Sequence, residues 1–306
     1  MTALAEKAQV KRMTLPRSWL ISGASILLGV AVVLTSCHRN DTKSDKNLAA
    51  EPLDDLIITR DISYAEGPRH SLDVYVSRTK SEHKPVVLFI YGGTWMSGSK
   101  ADSAWVGAVL ARKGYVVVIP DYRIYPEGAW PKFLQDNARA VRWSRDNAAL
   151  YGGDASNLVI MGHSAGAYNA VSLAVDPRWL HEVGLNPQQD VRAVIGLSGP
   201  YIIQPESRKL KVIFGPKAQW PDTQPFNHID GKSPPLLLIT GDKDDQVGPE
   251  EGDKLAALVH AKGGFATVVH YPALSHAGTL DALAPGEENA PPVMDEIAAF
   301  IEKPQN

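Results

Sequence analysis

The chain has 306 residues, 44% of them hydrophobic, which is enough apolar material for one sizeable core without a second domain. Its formal charge is −3 and its basic residues are dispersed, so nothing in it implies a nucleic-acid surface. The single cysteine, Cys37, excludes an intramolecular disulfide and, from its place near the N-terminus, a cysteine nucleophile within the folded region.

Residues 1–12 are polar and carry Lys7, Lys11 and Arg12; an apolar run from Trp19 to Leu34 follows, ending Leu34–Thr35–Ser36–Cys37. A basic start, an apolar core and small residues before the end make a secretory signal. The ending resembles the lipobox of bacterial lipoproteins: Leu, two small residues, then Cys. That resemblance implies a signal peptide over 1–37, lipid on Cys37 as the mature N-terminus, and a membrane as partner. The protein would then sit in the cell envelope, facing outside the cytoplasm. An uncleaved anchor is the alternative, although Trp19–Leu34 is short for a span; a secreted or periplasmic form is another. A start at Met13 in place of Met1 gives a more usual signal length. Residues 38–55 are polar and aperiodic and read as a flexible tether.

The folded region is expected over 56–306. Ile57–Tyr64 and Leu72–Ser77 alternate as two antiparallel strands turning at Gly67–Pro68. Pro85–Tyr91 is continuously apolar, the mark of a strand buried on both faces, and so is Tyr115–Pro120. Further strands are expected at Asn157–Met161, Val191–Leu197, Leu236–Thr240 and Thr267–Tyr271. Helical spacing runs from about Asp102 to Lys113, Pro131 to Leu150, Ala165 to Ala174, Pro249 to Lys262 and Pro292 to Glu302. Eight strands alternating with helices predict an α/β fold with a mostly parallel sheet and helices on both faces. About 201–232 breaks this rhythm with Pro205, Pro216, Pro221 and Pro225; it reads as a small cap, or as a plain surface loop. Its aromatics Phe214, Trp220 and Phe226 read as local packing.

Leu158–Ala167 places Gly-x-Ser-x-Gly between a strand and a helix, the context of a nucleophile elbow at Ser164. A serine hydroxyl needs a base, and the base needs a third group to orient it. Asp242, Asp244 and Asp245 follow one later strand, and His276 follows the next. Both loops leave the sheet edge that carries Ser164, where ligands gather in open α/β sheets. Asp244 is far enough round its loop to face His276, Asp242 is expected to hold the turn, and Asp245 to face solvent. His163 reads as packing or orientation, and His260 and His270 as surface or sheet residues. Neither a metal-binding spacing nor a cofactor motif is present in the sequence, so no metal and no cofactor are expected.

The stretches YGGTWMSGSK at 91–100, DYRIYPEG at 121–128, YGGDASNLVIMGHSAGA at 151–167 and GDKDDQV at 241–247 resemble the α/β-hydrolase family over 56–302. Within it the chain is similar to esterases of the hormone-sensitive-lipase group, bacterial feruloyl-esterase-like enzymes, kynurenine formamidases and prenylcysteine methylesterases. The resemblance implies an α/β-hydrolase fold and a triad of Ser164, Asp244 and His276, with Asp244 in the family's Gly-x-x-Asp-x-x-Val spacing. It implies an oxyanion hole at Gly93, Thr94 and Ala165. Tyr91 departs from the family, many of whose members have His there, and Thr94 stands where many have Gly. The implied function is a carboxylesterase acting on a small-molecule ester through an acyl-enzyme. Arylformamidase, amidase or peptidase activity on the same fold is the alternative, with a non-catalytic envelope lipoprotein as a third reading. Trp95 and the cap would suit an aromatic substrate.

Overall fold

The computed structural model describes residues 53–79, 83–285 and 291–303. The signal segment, Cys37 and almost all of the 38–55 tether lie outside the described residues.

Eight strands form one sheet: β1 (Leu56–Ser63), β2 (Ser71–Ser77), β3 (Lys84–Ile90), β4 (Val116–Pro120), β5 (Gly153–His163), β6 (Ala193–Leu197), β7 (Leu236–Gly241) and β8 (Ala266–Tyr271). Their spatial order is β1-β2-β4-β3-β5-β6-β7-β8. β1 and β2 pair antiparallel, as β2 does with β4; the other neighbours are parallel. Residue after residue is buried along β4, β6 and β7, so both faces of the central sheet are covered, as their unbroken apolar runs require. β1, at the edge, is largely solvated, and its register slips between Thr59 and Ile62. Such a bulge blunts an open edge.

The helices are α1 (Ala104–Arg112), α2 (Lys132–Asn147), α3 (Ala165–Val175), α4 (Arg178–His181), α5 (Pro187–Asp190), α6 (Arg208–Phe214), α7 (Glu251–Ala261), α8 (Gly278–Asp281) and α9 (Val293–Glu302). α1 packs on β2 and β4, α2 and α3 on β5, and α7 and α9 on the β7–β8 end. This is the α/β-hydrolase fold.

Element boundaries moved where backbone pairing overrode side-chain pattern. β5 starts at Gly153, four residues before the expected Asn157, because Gly153 and Asp154 pair with Lys84 and Pro85 despite their turn-like character. The α2 pattern expected to reach Leu150 ends as a helix at Asn147; one 3-10 turn (Ala148–Tyr151) then closes at Gly152, with φ 77°. The aperiodic stretch after β6 contains α6 and two 3-10 turns, Lys217–Thr223 and Pro225–His228. Tyr168 on α3 donates its hydroxyl to the Thr223 carbonyl, tying this segment to the elbow helix.

Candidate active site

The chain passes from β5 into α3 through Ser164, whose backbone sits at φ 55° and ψ −124°. A non-glycine residue there is strained, and it persists because its surroundings fix it. The Ser164 N–H donates to the Leu197 carbonyl at 2.9 Å, and the Ser164 carbonyl accepts the N–H groups of Ala167 and Tyr168. Close approach explains the flanking glycines: a Cβ on Gly162 would lie 2.3 Å from the Gly166 carbonyl oxygen, and one on Gly166 would lie 2.0 Å from that of Ile90. The strand end, the elbow and the helix start can interlock only if both residues lack a side chain.

Ser164 Oγ lies 2.9 Å from His276 Nε2, and His276 Nδ1 lies 2.8 Å from Asp244 Oδ2. An ionised carboxylate only accepts, so Nδ1 carries the proton and Nε2 is left to accept from the serine. The Asp244 side chain is fully buried, with Oδ1 accepting the N–H groups of Gln246 and Val247 at 2.9 Å each. Burial pushes its pKa up, but the bonds from Val247, His276 and Gln246 outweigh that and hold the carboxyl below the usual carboxylate range. The structure therefore brings Ser164, His276 and Asp244 into one hydrogen-bonded line. Asp245 is exposed, as expected, and Val247 is buried.

Asp242 departs from its expected role. Its Oδ1 meets His270 Nδ1 at 2.8 Å, while the other ring nitrogen of His270 meets Asp253 Oδ2 at 3.0 Å. His270 thereby ties the ends of two neighbouring strands to α7, a contact that the local turn sequence does not reveal.

The His276 carbonyl is held from two sides, by His163 Nε2 at 2.9 Å and by Thr279 Oγ1 at 3.1 Å. Facing a carbonyl, His163 Nε2 must be the protonated ring nitrogen. Burial, with His276 nearby, pushes the His163 pKa down to about 4, so its ring is neutral near pH 7. His163 orients the histidine loop from directly beneath the elbow.

The loop after β3 supplies the other wall. Thr94 (φ 54°) and Trp95 (φ 55°) follow Gly93 (φ 115°) in left-handed backbone. Trp95 is 2% exposed, donates Nε1 to Asn169 Oδ1 at 2.9 Å, and packs edge-on to Tyr168 and Phe214. That anchoring holds the turn. Thr94, Ala165, Ser164 and His276 line one cleft of about 350 Å³; Gly93 lies one residue back from the lining. Among the described residues, neither Thr94 nor Ala165 donates its N–H to another backbone carbonyl. The opposite wall comes from Ile202–Gln204, Leu210, Val247 and Glu251. Glu251 accepts the Ile202 N–H at 2.9 Å, and burial raises its pKa.

The sequence profile of the BD-FAE family matches residues 72–259. The chain belongs to the BD-FAE family. The match takes in Ser164 and Asp244 and stops before His276. The chain is 26% identical over 272 residues to an isoprenylcysteine alpha-carbonyl methylesterase of Arabidopsis thaliana, covering 81% of this chain and 63% of that protein. It is 26% identical over 266 residues to the esterase LipC of Mycobacterium tuberculosis, covering 79% of this chain and 64% of that one. The chain thus spans less than two thirds of these relatives' lengths. Among solved structures it is similar to esterase B of Lactobacillus rhamnosis (TM-score 0.71, 20% identity, 84% and 89% covered). It is also similar to a truncated carbohydrate esterase from gut microbiota (TM-score 0.69, 22% identity, 81% and 97% covered).

In this BD-FAE chain sequence reasoning also missed the brace behind the Thr94 loop. Arg69 Nη2 donates to Tyr91 Oη and to the Gly98 carbonyl, both at 2.7 Å, and its Nε donates to the Tyr122 carbonyl at 2.8 Å. Tyr91 Oη donates to Asp121 Oδ1 at 2.9 Å, and the same oxygen accepts the Lys100 N–H at 2.8 Å. The Tyr91 and Tyr122 rings stack 4.7 Å apart. Both ends of the 91–100 loop are thereby clamped. Tyr91 and Asp121 lie in visible motifs, but Arg69 sits in a turn that carries none.

Proposed function

We propose that this BD-FAE family protein is a serine carboxylesterase that cleaves small or medium carboxylic esters through an acyl-enzyme. The observation that carries the reading is the Ser164–His276–Asp244 line at 2.9 and 2.8 Å, opening into a cleft. The esterase names of the relatives support ester hydrolysis as the reaction class. His276 Nε2 takes the Ser164 proton as Oγ attacks the ester carbonyl, and Asp244 stabilises the resulting imidazolium. The N–H groups of Thr94 and Ala165 receive the oxyanion at the start of α3, where the helix dipole is positive; Gly93 shapes the turn that presents Thr94. His276 then passes its proton to the leaving alcohol. Water, deprotonated by the same ring, hydrolyses the acyl-enzyme and restores the serine.

A fluorophosphonate probe tests the nucleophile, with labelling expected at Ser164 and lost in Ser164→Ala. A panel of p-nitrophenyl esters, an aryl ester, an anilide and N-formylkynurenine tests the bond class. Faster turnover of the amide or formamide than of every ester would replace the esterase reading.

The leader supports a further proposal, that Cys37 carries the lipid that holds the enzyme on the envelope membrane. Cys37→Ser is expected to abolish lipid labelling and leave an unprocessed precursor. A free thiol at Cys37 behind an intact Trp19–Leu34 segment would show a simple anchor instead.

A further inference from the structure

The wall of the cleft made by Ile202, Ile203 and Gln204 has a second side. There the same three residues border a hollow of about 400 Å³, completed by Trp220, Phe226 and Pro221 among others. The ridge is fixed in place: Ile203 donates its N–H to Gln224 Oε1 at 2.9 Å, and Gln224 is buried. So is the floor. Trp220 Nε1 donates to the Gly215 carbonyl at 3.0 Å, and Asn227 Nδ2 to the Pro221 carbonyl at 2.7 Å. Phe214, which sequence reading grouped with Trp220 and Phe226 as packing, is indeed buried against Trp95. Trp220 and Phe226 are only half-buried and keep surface toward the hollow. The charged residues that border it, Glu206 and Lys217, are exposed.

An apolar floor with charges confined to exposed positions does not suit an ionic ligand, because it offers no buried counter-charge. The volume falls in the range of about 300–1,000 Å³ typical of small-molecule sites. The hollow shares the Ile202–Gln204 ridge with the cleft, so an extension of the same substrate is the occupant that this placement favours.

We propose that this hollow is a second subsite, which takes a large apolar arm, aryl or medium-chain alkyl, of an ester whose scissile bond lies at Ser164. The proposal rests on the esterase reading and adds a substrate class to it. The arm leaves the cleft over Gln204 and settles against Trp220 and Phe226. Esters with such an arm are then better substrates than esters without one.

The test is kcat/KM of the full chain on ethyl acetate, ethyl octanoate and naphthyl acetate, followed in a pH-stat. Two variants perturb the hollow in opposite ways: Trp220→Ala removes its floor, and Asn227→Trp fills it. Both are expected to lower kcat/KM about tenfold on at least one large ester, with ethyl acetate unchanged, since a filled apolar pocket discriminates by roughly this factor per group. A loss confined to the octanoate assigns the arm to the acyl side, and a loss confined to naphthyl acetate assigns it to the alcohol side. Unchanged ratios in both variants overturn the subsite, as does an equal fall on ethyl acetate. Failure of the wild-type protein to cleave any of the three esters would instead remove the esterase reading beneath it.

Discussion

At the residue scale the three neighbouring aspartates make the sharpest test of the site. The Asp244 side chain is fully buried between His276 and two backbone N–H groups, Asp242 bonds His270, and Asp245 is exposed. Asp244→Asn is expected to lower kcat by about 10⁴, because an amide facing Nδ1 leaves the imidazole in the wrong tautomer. Asp245→Asn is expected to match wild type. Asp242→Asn is expected to reduce stability by only about 0.5 kcal/mol, the scale of a solvent-exposed pair. Steady-state kinetics and thermal melts on the three variants check this, and normal turnover in Asp244→Asn would undo the assignment. Ser164→Ala is expected to lose on the order of 10⁶ in rate with its melt intact. The three residues were legible because each stands in a loop just past an apolar strand. The partner of Asp242 was not legible, since His270 is its neighbour only once β7 and β8 lie side by side.

At the scale of elements, the loop from Tyr91 to Lys100 is the part whose position matters most and whose sequence says least. Its glycines announce a turn, but the clamp on it comes from Arg69, far away in the chain and in no motif. Arg69→Met is expected to lower kcat by about 10²-fold with KM little changed, the size of effect that a misplacement of about 1 Å produces. Tyr91→Phe, which breaks the bonds to both Arg69 and Asp121, should reproduce the split. A rise in KM at constant kcat would show that the loop binds substrate and does not position the N–H of Thr94. Within the loop, Thr94→Gly suits the left-handed backbone at φ 54° and should keep both activity and stability. Thr94→Pro cannot reach that φ and removes the N–H, so loss of roughly 3 kcal/mol of transition-state stabilisation is the least expected. If the glycine variant proved as damaging as the proline, the threonine side chain would have a role of its own.

At the scale of the whole molecule, the eight strands and their alternation with helices were readable because a doubly covered sheet needs unbroken apolar runs, and β3, β4, β6 and β7 supply them. The stretch after β6 was not readable, because its short helix and 3-10 turns are held by long-range bonds such as Tyr168 to Thr223 and not by any period of their own. The same burial that makes the centre of the sheet legible also sets how the fold responds to acid. His163 closes β5 beneath the elbow, and its pKa is pushed down to about 4 from 6.5 by burial and by the neighbouring His276, with Asp244 opposing. Well above pH 6.5 the ring is neutral in both folded and unfolded chains, and its contribution to stability is fully present. As the pH falls toward 4 the unfolded chain takes up a proton that the folded chain refuses, so stability is lost across that window. The full shift corresponds to roughly 3 kcal/mol. His270 acts in the opposite sense: Asp242 and Asp253 raise its pKa, so its smaller contribution is present in acid and fades as the pH rises through the raised value. Urea unfolding of wild type and His163→Gln at a series of pH values between 4 and 7 separates the two. The wild type should lose stability more steeply on acidification, and the glutamine variant, whose amide still donates to the His276 carbonyl, should show a flatter curve. Parallel curves would mean that His163 is protonated as readily in the fold as out of it, and that the histidine loop is not held by a neutral ring.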